Sequence, residues 1–403
     1  MCGKSPTFRE KPSSFSGYAL KMWRSPKTSI PADWNAIGLP HIRRQSRGHK
    51  RLAARFSLRA LRVRILFVMK KRYLLAGATG IVAGAVATKL LTRPREVSWP
   101  DSINFIYHAE HSWFTTVNGA RIHYQEAGDE KAPPILLIHG FISSTLIWDE
   151  VFLPLAAAGF RVVAPDLPGY GYSDKPRTAA YTIESQARAV VGLMDRLGIE
   201  QAALVGASYG GAIAAAIALD HPERVSRLVL VGAVSSDEPK KKLLMRLVQW
   251  PLIGDIVTPL FLGSRWVLHK RMEDVYQRLR IPVDEHKVDA RHHLLAAADS
   301  QRAMIRTVRR WSANRIFRDA HLIRQPTMLM WGEDDVHIPL AEGFRLRDEM
   351  PNARLVVFGN CGHLPPQEFP KQFVGMVSEF CKTEEQKAAP LKFKRRRTRK
   401  QNS

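Results

Sequence analysis

Residues 203–211 read Ala203-Leu204-Val205-Gly206-Ala207-Ser208-Tyr209-Gly210-Gly211. The apolar run predicts a strand, and the Ala-rich stretch behind it predicts a helix that halts at His221-Pro222. A strand that reverses into a helix this abruptly leaves no room for Cβ atoms beside the turn. Hence a glycine stands two residues to each side of the serine. Such a turn lifts the Ser208 hydroxyl clear of the sheet and sets backbone N–H groups at a helix N-terminus. A bare Gly-x-Ser-x-Gly is a short motif, so its weight depends on the rest of the chain.

Outward from this stretch the pattern is regular. Ile135-Leu136-Leu137-Ile138 is a continuous apolar run, as expected of a strand covered on both faces. Arg161–Ala164, Arg227–Val231, Thr327–Trp331 and Arg354–Phe358 are further strands. Thr115–Glu126 reads as a hairpin about Asn118-Gly119. A helix is expected from Thr182, with Ala187, Val190, Val191, Met194 and Leu197 on one face and Gly198 as its stop. Pro370–Cys381 makes a closing helix. Strands alternating with helices predict the α/β class, a doubly wound and mostly parallel sheet. Between Val234 and Gln325 the pattern turns helical, as for a lid inserted into the sheet. Lys240, Lys241, Lys242 and Arg246 beside Leu243, Leu244, Leu247 and Val248 give that lid a basic amphipathic face, packed on the core or in touch with lipid.

The expected organisation is a basic disordered extension over 1–68 and a hydrophobic membrane-anchor or signal segment over 69–92. A core over 110–234 and 326–382, a lid over 235–325 and a basic tail over 383–403 complete it. The net charge of +24 sits mostly in the ends: +13 in residues 1–68 and +7 in 382–403, leaving +4 for the body. That distribution excludes specific nucleic-acid recognition by the folded body. Cys2, Cys361 and Cys381 form no disulfide framework, and no metal-ligand spacing occurs. No cofactor is expected. Leu74–Gly80 imitates a dinucleotide-binding turn but lacks the strand before it and the acidic residue after it. Tyr73–Thr88 is apolar or small throughout, behind Lys70-Lys71-Arg72. Membrane association through residues 73–92 is therefore expected, with a secreted or periplasmic and a cytoplasmic location as alternatives.

A nucleophilic serine needs a base, and the base needs a carboxylate to fix its tautomer. Gly332-Glu333-Asp334-Asp335 and Gly362-His363 follow two later strands, in the order serine, acid, histidine. With His139-Gly140-Phe141 and Asp166-Leu167-Pro168-Gly169-Tyr170-Gly171-Tyr172-Ser173, these motifs make residues 110–382 resemble the α/β-hydrolase family, in the branch of esterases, dehalogenases and epoxide hydrolases. The resemblance implies Ser208 as nucleophile, His363 as base and Asp335 as acid, with Glu333 and Asp334 as solvated loop carboxylates. It also implies an oxyanion hole from the N–H groups of Phe141 and Tyr209, with His139 and His337 structural. Serine in place of the aspartate of dehalogenases and epoxide hydrolases implies an acyl-enzyme. The expected activity is hydrolysis of a carboxylic ester or related acyl substrate. A carbon–carbon bond hydrolase and a non-catalytic ligand-binding protein are the alternatives. The expected partners are a small apolar or acyl substrate and membrane lipid, met through the N-terminal segment and the lid.

Overall fold

In this computed structural model the described residues are 93–262, 264–279 and 282–382, with residues 69, 79–81, 83–84, 86–88 and 91. Contacts divide the chain into units 1–76 and 77–403. Of the first, Met69 alone is described, so the expectations for residues 1–68, for most of 69–92 and for the tail 383–403 lie outside the described residues.

The second unit is built on one eight-stranded sheet. Its strands are β1 (Ser112–Val117), β2 (Ala120–Ala127), β3 (Pro134–Ile138), β4 (Arg161–Pro165), β5 (Ala202–Ala207), β6 (Val225–Val231), β7 (Thr327–Gly332) and β8 (Ala353–Phe358). The order is β1-β2-β4-β3-β5-β6-β7-β8. The first two pairings, β1 with β2 and β2 with β4, are antiparallel and the rest parallel. The β1–β2 turn places Asn118 at φ 51° and Gly119 at φ 79°, the left-handed pair that suits the twist of a tight hairpin.

Side chains on a strand alternate between faces, and this divides the core in two. Leu136, Ile138, Leu204, Leu228 and Leu230 pack with the helices Ile183–Arg196 and Tyr209–Asp220. Ile135, Leu137, Val205, Val229 and Val231 pack on the other face, against Trp148, Phe152 and Phe373 of the Thr145–Ala157 and Pro370–Cys381 helical segments. The result is a sheet sandwiched between helical layers. The helix expected from Thr182 starts there, capped reciprocally: Ser185 N–H donates to Thr182 Oγ1 at 3.2 Å and Thr182 N–H to Ser185 Oγ at 2.9 Å.

Between β6 and β7 the chain leaves the sheet for a helical region that includes Leu243–Gln249, Ile253–Val257, Arg265–Leu279, Glu285–Ala296 and Ala298–Arg309. The segment before β1 ties this region down. Pro94 O accepts Ala298 N–H at 2.8 Å, and Tyr107 Oη lies 2.8 Å from His286 Nδ1.

The expected transmembrane helix is corrected. Among the described residues no helix is long and apolar enough to cross a membrane. The physical reason is visible in the run itself: Tyr73–Thr88 stops at Lys89, short of the roughly 20 residues a span needs, and much of it is Gly and Ala.

A buried carboxylate anchors the loops above the sheet. Asp166, following β4, has no solvent exposure. One of its oxygens accepts Thr145 N–H at 2.8 Å; the other accepts Tyr172 N–H at 2.9 Å and His123 Nδ1–H at 2.7 Å. Burial pushes its pKa up, but the His123 hydrogen bond and charge, with His139 and the Tyr172 N–H, outweigh it and bring the pKa down to about 2. The folded value lies below the ordinary 3.8, so the stabilisation is present above about pH 4 and is lost as pH falls through 2. Asp166→Asn is expected to cost about 3–5 kcal/mol near neutrality, by breaking a buried pair. Urea denaturation should show the gap to the parent narrowing between pH 7 and pH 3.

Packing at the elbow yields a second expectation. A Cβ at Gly210 would stand 2.2 Å from Ile138 O, whereas a Cβ at Gly375, mid-helix and exposed, would meet nothing within 4 Å. Gly210→Ala should therefore lower the melting temperature sharply, and Gly375→Ala should raise stability by about 0.5–1 kcal/mol. Thermal melts of the two variants check both signs.

Candidate functional site

Ser208 joins β5 to the Tyr209–Asp220 helix at φ 55° and ψ −118°, a conformation that few non-glycine residues adopt. Its N–H donates to Val231 O at 2.8 Å and its C=O accepts Val234 N–H at 3.0 Å, which stitches the turn to β6 and the loop after it. Gly206 and Gly210 are needed for close approach: a Cβ on Gly206 would lie 2.4 Å from Gly210 O.

The predicted acid and base meet at the ends of β7 and β8. His363 Nδ1 lies 2.7 Å from Asp335 Oδ2, and the other Asp335 oxygen accepts the N–H groups of His337 and Ile338 at 2.8 and 2.9 Å. Asp335 is buried, while Glu333 and Asp334 are exposed. The loop carrying His363 is held from behind by Glu368, whose two oxygens accept Gly362 N–H at 3.1 and 2.9 Å. Gly232, after β6, brings its backbone against this pair; a Cβ there would be 3.1 Å from both Asp335 Oδ2 and His363 Nδ1.

Ser208 and His363 line one cavity of about 290 Å³. No hydrogen bond joins their side chains among the described residues; such contacts often tighten only when substrate is bound. Phe141 and Gly140 line the same cavity, and a Cβ on Gly140 would lie 3.1 Å from Ser208 Cβ, so the loop after β3 crosses directly over the serine. Tyr209 starts the helix behind it and its side chain is buried. An oxyanion formed at Ser208 would thus lie between two backbone segments with N–H groups to offer.

His139, read as structural, is buried, with Nδ1 2.8 Å from Gly140 O and Nε2 accepting Leu167 N–H at 3.0 Å. Burial lowers its pKa. His337 was expected to be structural as well, but its ring lines the cavity and packs edge-on against His363, with centroids 5.1 Å apart. Burial first, then the charges of His363, Arg271 and Lys242, bring His337 down to about 4, so it is neutral at pH 7. Cys361 is buried beside the base loop.

Two cavity residues, Arg271 and Arg291, escaped the sequence reading, and Lys242 was read only as part of the basic face. Lys242, Arg271 and Arg291, all from the inserted helical region, line a cavity otherwise walled by Phe141, Ile142, Val234, Met245, Leu268 and Trp311. Arg291 Nη2 donates to Gln367 Oε1 at 2.9 Å. The signal was available: Leu268, Arg271 and Met272 share one helix face at i, i+3 and i+4, which sets an exposed arginine at the border of an apolar stripe. Among the described residues no group of three or more His, Cys, Asp or Glu side chains could hold a metal ion.

Comparison with known proteins agrees with this architecture. Residues 133–255 match the family model for the alpha/beta hydrolase fold. The chain is 32% identical to a 2-hydroxymuconate semialdehyde hydrolase of Pseudomonas sp. (strain CF600), over 61% of this chain and 86% of that protein. It is 32% identical to a 2-hydroxy-6-oxononadienedioate/2-hydroxy-6-oxononatrienedioate hydrolase of Paraburkholderia phymatum, over 64% and 90%. Among solved structures it resembles a bacterial membrane phospholipase A, with TM-score 0.58 and 28% identity over 78% of this chain and 97% of that one. The chain belongs to the α/β-hydrolase fold family, as an enzyme of the hydrolase class.

Proposed function

We propose that Ser208, His363 and Asp335 are nucleophile, base and orienting acid in a hydrolase that cleaves a carbon–carbon bond beside the ketone of an acidic substrate. The observation that carries the acidic substrate is the Arg291 guanidinium on the wall of the cavity that Ser208 enters. A purely apolar acyl chain gains nothing from a cation there, whereas a carboxylate gains charge-assisted hydrogen bonds. The relatives named for 2-hydroxymuconate semialdehyde and for 2-hydroxy-6-oxononadienedioate support the same reading.

Asp335 accepting from His363 Nδ1 leaves Nε2 to take the Ser208 proton. Ser208 Oγ adds to the ketone carbon, and the oxyanion is held by the N–H groups of Phe141 and Tyr209. The 2-hydroxy dienoate first shifts its enol proton to the carbon beside the ketone; when the carbon–carbon bond breaks, its electron pair passes into the enone so formed, and the resulting dienolate takes the proton from His363. Water, deprotonated by His363, adds to the acyl-serine. The acid departs as the proton returns to Ser208, so one water is consumed per bond broken. In this reading residues 235–325 are the lid over the cavity.

Hydrolysis of an ester or related acyl compound is the second reading. It is favoured by the apolar walls and by the phospholipase likeness, which covers 78% of this chain. Leu243, Trp250, Leu252, Phe261 and Trp266, exposed on the inserted region, would then meet acyl chains.

Turnover of a conjugated 2-hydroxy-6-keto dienoate should exceed that of nitrophenyl esters from C2 to C12 in kcat/KM. Faster turnover of any ester overturns the carbon–carbon reading. Ser208→Ala should lower kcat by roughly 10⁶ and Asp335→Asn by roughly 10⁴, at unchanged thermal stability. Near-parental activity of Ser208→Ala would remove the assigned nucleophile.

A further inference from the structure

Two backbone positions beside the cavity are strained, and they are held in different ways. Ser208, at φ 55°, is fixed by hydrogen bonds to β6 and to the loop after it. Ile142, in the loop that crosses over Ser208, stands at φ 56°. For a β-branched side chain this left-handed conformation is rare, and it persists only where the surroundings impose it. The core holds the loop as far as Gly140, whose carbonyl lies 2.8 Å from His139 Nδ1. Among the described residues the backbone of Phe141 and Ile142 makes no hydrogen bond, so packing of their side chains decides the turn.

That packing comes from the inserted region. Phe141 and Ile142 lie against a buried cluster of Val248, Ile305 and Val308, one from the Leu243–Gln249 helix and two from the Ala298–Arg309 helix. Trp311 follows the second of these helices and is 7% exposed. Its ring meets Phe141 edge-on, with centroids 5.8 Å apart at 88°, and meets Tyr209 at 4.8 Å and 42°. Among the described residues it is the one aromatic ring in contact with both. Tyr209 is fully buried and belongs to the core helix behind Ser208. Trp311 therefore bears on a fixed surface on one side and on the loop on the other.

We infer that Trp311 is a positioning residue for the oxyanion hole: its ring rests on Tyr209 and holds Phe141, with the strained Ile142, in place over Ser208. The inserted region then completes the catalytic site instead of only covering it. This deepens the assignment of Phe141 and Tyr209 made above and rests on it. Ile142 released from its cluster relaxes toward an ordinary φ, and that rotation carries the preceding residue, Phe141, away from the serine. Tyr209 stays where the core holds it, so the loss falls on one of the two donors.

The test uses the full chain and its Trp311→Leu, Trp311→Phe and Val248→Ala variants. Saturation kinetics of Ser208 labelling by an alkyl fluorophosphonate separate the limiting rate from the half-saturating concentration. The phosphoryl oxygen draws on the oxyanion hole as it reacts. Trp311→Leu should lower the limiting rate roughly 10- to 100-fold, as for one misplaced donor, and move the half-saturating concentration by less than about threefold. Trp311→Phe keeps a ring and should recover most of the loss. Val248 is buried outside the cavity wall, yet Val248→Ala should slow labelling in the same direction. Hydrogen exchange over residues 139–146 should quicken in Trp311→Leu and Val248→Ala and stay unchanged over the Ile183–Arg196 helix. A raised half-saturating concentration at an unchanged limiting rate makes Trp311 a wall of the cavity and overturns the inference. Exchange over 139–146 that neither variant alters overturns it as well. Thermal melts matching the parent show that the variants are folded, and Trp311→Met replaces Trp311→Leu if that variant unfolds. A parent whose Ser208 is not labelled removes the nucleophile and this inference with it. A labelled parent with an equally fast Trp311→Leu removes the inference alone.

Discussion

The strained turn at Ser208 governs how the rest of this unit is arranged. A non-glycine residue at φ 55° and ψ −118° costs on the order of 1–3 kcal/mol, and it persists only where the surroundings over-determine it. Here they do so from three directions. Val231 O takes the Ser208 N–H, Val234 N–H binds its carbonyl, and Gly210 sits against the carbonyls of Ile138 and His139. Each contact requires a parallel neighbour at the right register, β3 on one side of β5 and β6 on the other. The turn can exist because β5 lies inside the sheet, and the unbroken apolar run of β5, buried at every position, holds it there.

The same geometry explains why acid and base can be distant in sequence and adjacent in space. In a parallel sheet every strand ends on the same edge, so loops after β5, β6, β7 and β8 converge. Asp335 follows β7 and His363 follows β8, and Gly232 after β6 gives them a flat backbone surface to lie on. Asp166 does comparable work after β4: one carboxylate binds the loops that carry Thr145 and Tyr172, and so sets the roof under which Phe141 crosses Ser208. A single buried charge can organise two loops because its oxygens accept several N–H groups at once.

What could be read from the chain follows from this. The strands, the elbow, Asp335 and His363 were legible because each is marked locally: an apolar run, then glycine and a chemically active residue at its end. The choice of Asp335 over Glu333 and Asp334 also rested on spacing, and burial separates them in the same way. The cations of the inserted region were not legible. Lysine and arginine ordinarily face water, as Lys242 and Arg271 still do, and the three cations border one cavity only because segments distant in sequence meet above the sheet. The apolar segment at Tyr73–Thr88 misled in the opposite way. Composition suggested a membrane span, but 16 residues rich in Gly and Ala fall short of one.

Core and insertion thus carry different kinds of information. The core has almost no freedom at the elbow, since a single added methyl at Gly206 or Gly210 would collide with backbone. Its chemistry is accordingly fixed by a few residues at strand ends. The inserted helices are joined to the core by buried side chains such as Leu268, Met272, Val288 and Met304, by the largely buried pair of Lys287 with Asp149, and by the segment that runs from Arg93 to His111. Arg271 and Arg291 stand on these helices. The serine turn thus stands in a layer where one added methyl meets backbone, and the cations that border the cavity stand in a separate helical layer above it.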